Sequence, residues 1–117
     1  MTLFPKAVGE KEGEITLYYS EGKTELTSAF GTGESSFQSE MVTLDSILER
    51  ESTIKILKVD TEGYDLKVLK GATKTLEKTF YVIVETNNER IKNLLVAQNF
   101  KCETIYPSNY LLATRTF

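Results

Sequence analysis

The chain has 117 residues, of which 40% are hydrophobic and 26% charged, and its 14 basic and 17 acidic side chains give a net charge of -3. No separate block of Lys or Arg suggests a nucleic-acid partner, and no apolar run approaches the roughly 18 residues of a membrane span, so we expect one small cytoplasmic domain. The single cysteine, Cys102, and the lack of histidine exclude an internal disulfide, a multi-cysteine zinc site and histidine-based catalysis.

The first third of the sequence predicts two strands and a long loop. Residues 3–8 indicate a short strand, and a glycine-containing turn leads into a second strand over 14–19. There Ile15 and Leu17 alternate with more polar neighbours, which favours a hairpin-like strand with one buried face. Residues 20–39 are rich in Gly, Ser, Thr and Glu, so we predict a long loop that either covers a substrate or is disordered.

The rest of the sequence predicts helices that alternate with apolar strands, followed by a closing β-hairpin. Thr43 can cap the first of these helices, and Asn87 or Asn88 can cap the last. Gly71 interrupts a helical pattern and should divide that helix into two pieces. The predicted elements are a helix over 44–51, a strand over 54–59, helical pieces over 66–76, a strand over 81–85, a helix up to 96, and hairpin strands over 101–106 and 110–116.

Acidic residues follow both apolar strands of the middle region. Asp60 and Glu62 come directly after the strand over 54–59, and Glu85 ends the strand over 81–85. The short helical segment between the two strands favours a parallel β-α-β crossover, in which the ends of both strands share one edge of the sheet. Ligands of open α/β sheets bind beyond the carboxyl ends of the strands, so these acids predict a site.

Lys58 precedes these acids inside the apolar strand. By the period of two along a strand, Lys58 and Asp60 lie on the same face. In a strand buried on both faces the ammonium would need a partner, and it would then hold the Asp60 carboxylate ionised and oriented. The alternative is that Lys58 is partly exposed on an edge strand, and that Asp60 and Glu62 merely begin a turn.

A resemblance to a known family rests on the same stretch. The run KVDTEGYDLKVLKGA, followed by YVIVETN, is similar to the core signature of the FkbM-type S-adenosylmethionine-dependent methyltransferases. Weaker agreement at residues 7–9, 42–48 and 109–112 extends the resemblance over nearly the whole chain. It implies an α/β protein with an incomplete Rossmann-like methyltransferase fold, whose mixed sheet ends in antiparallel strands.

Two cofactor-binding features of that fold are not found in the sequence: a glycine-rich turn after the first strand and an acid after the second. Gly31 and Gly33 follow a polar stretch rather than an apolar strand, so they do not supply the turn. The resemblance therefore implies that residues 1–117 form a single domain equivalent to the C-terminal part of the family's domain.

The family's strand order has a further implication for this chain. It would separate the strand over 3–8 from the main sheet and leave one edge of the strand over 54–59 bare. A bare edge predicts self-association, or points to a missing N-terminal segment. It also implies that this chain alone binds the cofactor weakly or not at all.

The chemistry of methyl transfer assigns roles to the acids. Transfer from a sulfonium needs an in-line approach and a nucleophile that loses a proton, so the enzyme supplies positioning and one base. We predict Asp60, Glu62 and Lys58 as catalytic residues. The resemblance implies S-adenosylmethionine as the cofactor, with Ala7 and Val8 on its adenine side, and O-methylation of a sugar, lipid-linked or secondary-metabolite acceptor.

Glu85 and Asn87 are predicted to orient this acceptor, and no resident metal is expected. One alternative is that the oxygens of Asp60, Glu85 and Asn87 hold a hard cation such as Mg²⁺. Another is that the chain is a truncated, non-catalytic remnant or a split-chain partner that does not methylate alone.

Overall fold

A computed structural model of the protein describes residues 6–19, 35–61, 63–86, 88–105 and 109–116. Within these ranges the chain forms two sheets and a set of short helices. The elements are β1 (Ala7–Val8), β2 (Gly13–Tyr19), β3 (Ser35–Val42), α1 (Leu44–Ile47), β4 (Ile54–Val59), α2 (Asp65–Lys70), α3 (Thr73–Glu77), β5 (Thr79–Glu85), α4 (Glu89–Ala97), β6 (Phe100–Ile105) and β7 (Tyr110–Arg115).

The larger sheet has the strand order β4-β5-β7-β6. β4 and β5 are parallel, whereas β5–β7 and β6–β7 are antiparallel, which confirms the predicted mixed sheet with antiparallel C-terminal strands. One face of this sheet packs against α2, α3 and α4. The buried core comprises Val59, Val68, Leu69, Ala72, Leu76, Val82, Val84, Ile91, Leu95, Phe100, Leu111 and Ala113.

The smaller sheet corrects two predictions. Its strand order is β1-β3-β2, with β1 parallel and β2 antiparallel to the central strand β3. The loop predicted over 20–39 is wrong from Ser35 onward, because β3 pairs with β2 along most of its length and with β1 at Met41 and Val42, although half of its side chains are exposed; residues 20–34 lie outside the described ranges. The single buried face predicted for β2 is also absent, since residues 15–18 are all half-buried.

β4 lies at the edge of the larger sheet, and β1 belongs to the other sheet. Among the described residues β4 pairs with β5 alone, so its second edge carries no ladder of hydrogen bonds. Over the described residues this agrees with the bare edge that the family's strand order implies. Ile56 in this strand is 55% exposed.

The helix starts follow the predicted caps. Thr43 Oγ1 accepts a hydrogen bond from Ser46 N at 3.1 Å, and α1 begins at Leu44. α1 ends at Ile47 rather than near residue 51, and the Lys78 ammonium then donates to the Leu48 carbonyl. At α4 the cap is Asn88, whose Oδ1 accepts from Arg90 N at 2.9 Å.

Gly71 ends α2 as predicted, and it also sets how closely the two sheets approach. Its φ of -86° is open to any residue, so the need for glycine is a matter of space. A Cβ at position 71 would overlap the carbonyl oxygen of Gly9 and lie 3.2 Å from Thr43 Cγ2. The Gly71 carbonyl also accepts from Asp45 N at 3.1 Å, and Gly9 N donates to the Val42 carbonyl at 2.9 Å. β1 and β3 are thereby held against α2.

We therefore expect Gly71→Ala to lower the free energy of unfolding by about 1–3 kcal/mol, because the overlapping atom belongs to a backbone that cannot rotate away. Lys70→Ala is the matched control, since Lys70 is exposed at the end of the same helix. Chemical denaturation measures both. Equal stability of the Gly71 variant and the wild type would show that the sheets are not held by this contact.

Candidate active site

A cavity of about 360 Å³ lies at the carboxyl end of β4, beside its unpaired edge. The described residues that line it come from β1, from α1, from β4 with the turn after it, and from α2: Val8, Leu44, Leu57, Lys58, Val59, Asp60, Thr61 and Val68. Most of this wall is apolar, and the polar side chains are consecutive or nearly so in sequence. A largely apolar pocket of roughly 300–1,000 Å³ with a few convergent polar groups is typical of a small-molecule site.

The turn after β4 is fixed by a buried carboxylate. Asp65, the first residue of α2, is 6% exposed. Its Oδ1 accepts hydrogen bonds from Thr61 N at 2.9 Å and from Thr61 Oγ1 at 2.5 Å. Gly63 between them has a φ of +106°, a left-handed conformation that favours glycine. The chain can therefore turn sharply from β4 into α2 while Asp60 and Thr61 remain at the cavity.

Asp65 lies in the run KVDTEGYDLKVLKGA that carries the family resemblance, but the sequence alone predicts no role for it. The sequence did contain a signal for the role of Asp65 in the turn. A carboxylate in the first turn of a helix readily accepts hydrogen bonds from backbone and hydroxyl donors just before it. What the sequence could not show is that Thr61 supplies both donors.

Several of the predicted site residues come together in the structure. Lys58, Asp60 and Val8 all line the cavity. Val59 pairs with Val84 in the parallel register, so Asp60 and Glu85 leave neighbouring strands at the same edge of the sheet, as predicted. Glu85 is exposed and is not among the lining residues described.

The other predicted residues are not brought to the cavity or cannot be placed there. Ala7 is half-buried in β1, where it pairs with Met41, and it does not line the cavity. Glu62 and Asn87 lie outside the described residues.

The surroundings of Lys58 differ from those of a residue in a strand buried on both faces. The prediction that burial forces it to pair with Asp60 is wrong: Lys58 is exposed, and the ion pairs among the described residues do not include one between these two side chains. Because β4 is an edge strand, the ammonium reaches water and needs no buried partner. This is the edge-strand alternative that the sequence left open.

The described residues do not favour two other kinds of chemistry, nucleophilic catalysis by Cys102 and metal binding. Burial raises the pKa of the Cys102 thiol, an effect that the nearby charge of Lys92 only partly offsets, so the thiol stays protonated at neutral pH and is a poor nucleophile. Within the described ranges no three acidic or cysteine side chains cluster closely enough to hold a metal ion.

A second concavity, of about 380 Å³, owes its polar groups to helix capping. It is lined by Asp45, Glu49, Lys74, Thr75, Glu77 and Lys78. The Asp45 carboxylate is already occupied: it accepts from Thr75 N at 2.7 Å, Thr75 Oγ1 at 2.8 Å and Lys74 N at 3.1 Å. These bonds cap α3 and tie it to α1, so the cavity at the end of β4 is the better candidate for a ligand.

The parallel β4–α2–α3–β5 unit, with an acid and a cavity at its carboxyl edge, defines an α/β protein with a candidate ligand site in the position usual for such sheets. Residues 1–102 match the family described as Methyltransferase FkbM domain. The chain belongs to this family of methyltransferases. No curated protein and no solved structure matches it at a significant level. In the part of the chain that the structure describes, no helix is both long and apolar enough to cross a membrane.

The Asp65 contacts lead to a prediction for the turn. In Asp65→Ala the Thr61 amide loses its acceptor, and a bond to a charged acceptor contributes about 1.5–3 kcal/mol. We expect the hydrogen exchange of the Thr61 amide to accelerate about tenfold or more in Asp65→Ala. Asp65→Asn keeps an acceptor oxygen, so the acceleration in that variant should be smaller. Native-state amide exchange by NMR measures this. An unchanged Thr61 exchange rate in the alanine variant would contradict the assigned role of Asp65.

Proposed function

We propose that this protein is an S-adenosylmethionine-dependent methyltransferase that methylates an oxygen of a sugar, lipid-linked or secondary-metabolite acceptor. Membership of the FkbM family supports methyl transfer as the reaction. The observation that carries the proposal is the Asp60 carboxylate at a mostly apolar cavity, because it offers one polar group where an acceptor hydroxyl can bind.

The cavity suits an adenosine-bearing donor in its chemistry. Val8, Leu44 and Val68 provide apolar surface against which an aromatic base can pack. The Asp65 carboxylate is engaged by the amide and hydroxyl of Thr61, which leaves Asp60 as the lining carboxylate available to a ligand. When bound, S-adenosylmethionine supplies an electrophilic methyl group on a sulfonium. Val8, with Ala7 beside it on β1, is the proposed adenine side.

Asp60 is the proposed base. An aspartate at this place would accept a hydrogen bond from the acceptor hydroxyl and orient its oxygen toward the methyl group. It would take up the hydroxyl proton as the new C–O bond forms and the methyl–sulfur bond of the donor breaks, which leaves the donor sulfur as a neutral thioether. The proposed part of Lys58 follows from its position on the same wall: its ammonium stabilises negative charge that develops on the acceptor oxygen.

The remaining proposed residues act around this pair. Glu85 leaves the neighbouring strand at the same edge, and with Asn87 it is proposed to orient the acceptor. Glu62 is proposed as a further acid of the site.

In a catalytically complete form of this protein, we expect Asp60→Asn to lower kcat by about 10²–10⁴-fold, because removing a general base typically costs that much. Its free energy of unfolding should change by less than about 0.5 kcal/mol, since Asp60 is exposed. Transfer of a tritiated methyl group from S-adenosylmethionine to hydroxyl-bearing sugars, glycolipids and phenols measures turnover. Glu77→Gln, an exposed acid on α3, is the control.

Full activity of the asparagine variant would remove Asp60 from the mechanism and move the role of base to Glu85. Transfer to nitrogen or carbon acceptors alone would contradict O-methylation. Wild-type protein that transfers no methyl group to any of these acceptors would instead support the non-catalytic alternative.

A further inference from the structure

Thr61 carries the one hydroxyl group among the described residues of the cavity wall. It follows Asp60 in the turn after β4, and both residues line the cavity. The amide and the hydroxyl of Thr61 bind the same oxygen, Asp65 Oδ1, at 2.9 and 2.5 Å. Thr61 is exposed whereas Asp65 is buried, so Thr61 connects a buried carboxylate with an accessible cavity.

The short contact between the two oxygens fixes the direction of the hydroxyl proton. A carboxylate only accepts hydrogen bonds, and the Thr61 amide already donates to the same Oδ1 atom. The separation of 2.5 Å is typical of a hydroxyl that donates to a charged oxygen. The proton of the Thr61 hydroxyl therefore lies between the two oxygens. A hydroxyl has one proton and two lone pairs, so Thr61 Oγ1 can act toward a ligand only as an acceptor.

The cavity wall thus presents two neighbouring hydrogen-bond acceptors, the Asp60 carboxylate and Thr61 Oγ1. They belong to consecutive residues, whose Cα atoms lie about 3.8 Å apart, so one small ligand can reach both. The ligand group that fits at Thr61 must donate, as a hydroxyl does. An ether or carbonyl oxygen would instead turn its lone pairs toward those of Thr61 Oγ1.

We propose that Thr61 is a specificity-determining residue of the methyl-transfer site and accepts a hydrogen bond from a second hydroxyl group of the acceptor, on the carbon next to the methylated position. This inference rests on the proposed function, because it takes the first hydroxyl to be bound by Asp60. It narrows the substrate class to molecules with two adjacent hydroxyl groups. An acceptor with one isolated hydroxyl lacks the donor that Thr61 requires.

The same arrangement favours a single methylation of each acceptor. After transfer, one hydroxyl of the product has become a methyl ether. If the remaining hydroxyl were bound by Asp60, the ether oxygen would face Thr61 Oγ1, and neither oxygen could donate to the other. The monomethyl ether should therefore bind more weakly than the acceptor from which it was made.

An NMR titration of the full chain with three phenols, followed through the amide shifts of residues 57–61, tests the role of Thr61. Catechol has two adjacent hydroxyl groups, 2-methoxyphenol has an ether in place of one of them, and resorcinol carries its two hydroxyls on carbons that are not adjacent. We expect the dissociation constant of catechol to be about three- to tenfold lower than that of either other phenol, which is the contribution of one neutral hydrogen bond.

Thr61→Val is the diagnostic variant, because valine has nearly the shape of threonine but no oxygen. Its three dissociation constants should agree within about twofold, since the hydrogen bond that distinguishes the phenols is gone. Thr61→Ser keeps the hydroxyl and should keep the preference for catechol. The ratio of dissociation constants is compared within one variant, so a change in folding stability does not alter it.

Thr53→Val is the matched control. Thr53 is an exposed threonine just before β4, at the end of that strand opposite the cavity, and its replacement should leave the preference for catechol unchanged. Equal binding of catechol and 2-methoxyphenol by the wild type, a preference that survives in Thr61→Val, or no binding of catechol would each overturn the role of Thr61.

Methyl transfer from S-adenosylmethionine to the same phenols separates this inference from the proposed function. Transfer without a preference for catechol would overturn the role of Thr61 and leave the proposed function in place. Binding that prefers catechol, with no transfer to any acceptor, would support the recognition by Thr61 and contradict methyl transfer.

Discussion

The close approach of Gly71 to the backbone of Gly9 is the contact on which the arrangement of this protein depends. Among the described residues the two sheets share no strand pairing, and β1 meets the helical layer of the larger sheet where neither glycine carries a side chain. This contact brings Val8 to the carboxyl end of β4 and so closes one side of the cavity. A side chain at position 71 would move β1 away, and the cavity would lose that wall.

The site combines this packing with one short segment of sequence. Leu57 to Thr61 supplies both the apolar wall and the polar groups of the cavity, and the hydrogen bonds of Thr61 to Asp65 hold the segment where β4 gives way to α2. Asp60 is thus presented by a fixed turn rather than by a free loop. A carboxylate held in this way can orient a hydroxyl group with little further ordering, which is the main requirement of methyl transfer.

The sequence predicted the second half of the fold more closely than the first, for physical reasons. Beyond Thr43 the elements carry strong local signals, namely apolar strands, side-chain caps and a glycine at a helix end, and the structure follows them to within a few residues. β3 has no such signal, because backbone pairing holds a strand whose exposed residues, apart from Phe37, are polar. The exposure of Lys58 depends on which strand lies at the edge of the sheet. The hydrogen bonds of Asp65 depend on the path of the turn after β4. Neither is encoded in periodicity.

An NMR titration with S-adenosylhomocysteine decides whether the cavity at the carboxyl end of β4 is the methyl-donor site that we propose. Because the family resemblance implies that this chain alone binds the cofactor weakly or not at all, ligand in the millimolar range is needed to detect binding. We expect saturable amide shifts at residues 7–8 and 57–61, smaller shifts in Asp60→Asn, and none at the capping carboxylate of Asp45. No shifts, or shifts confined to the cavity around Asp45 and Lys78, would contradict the account.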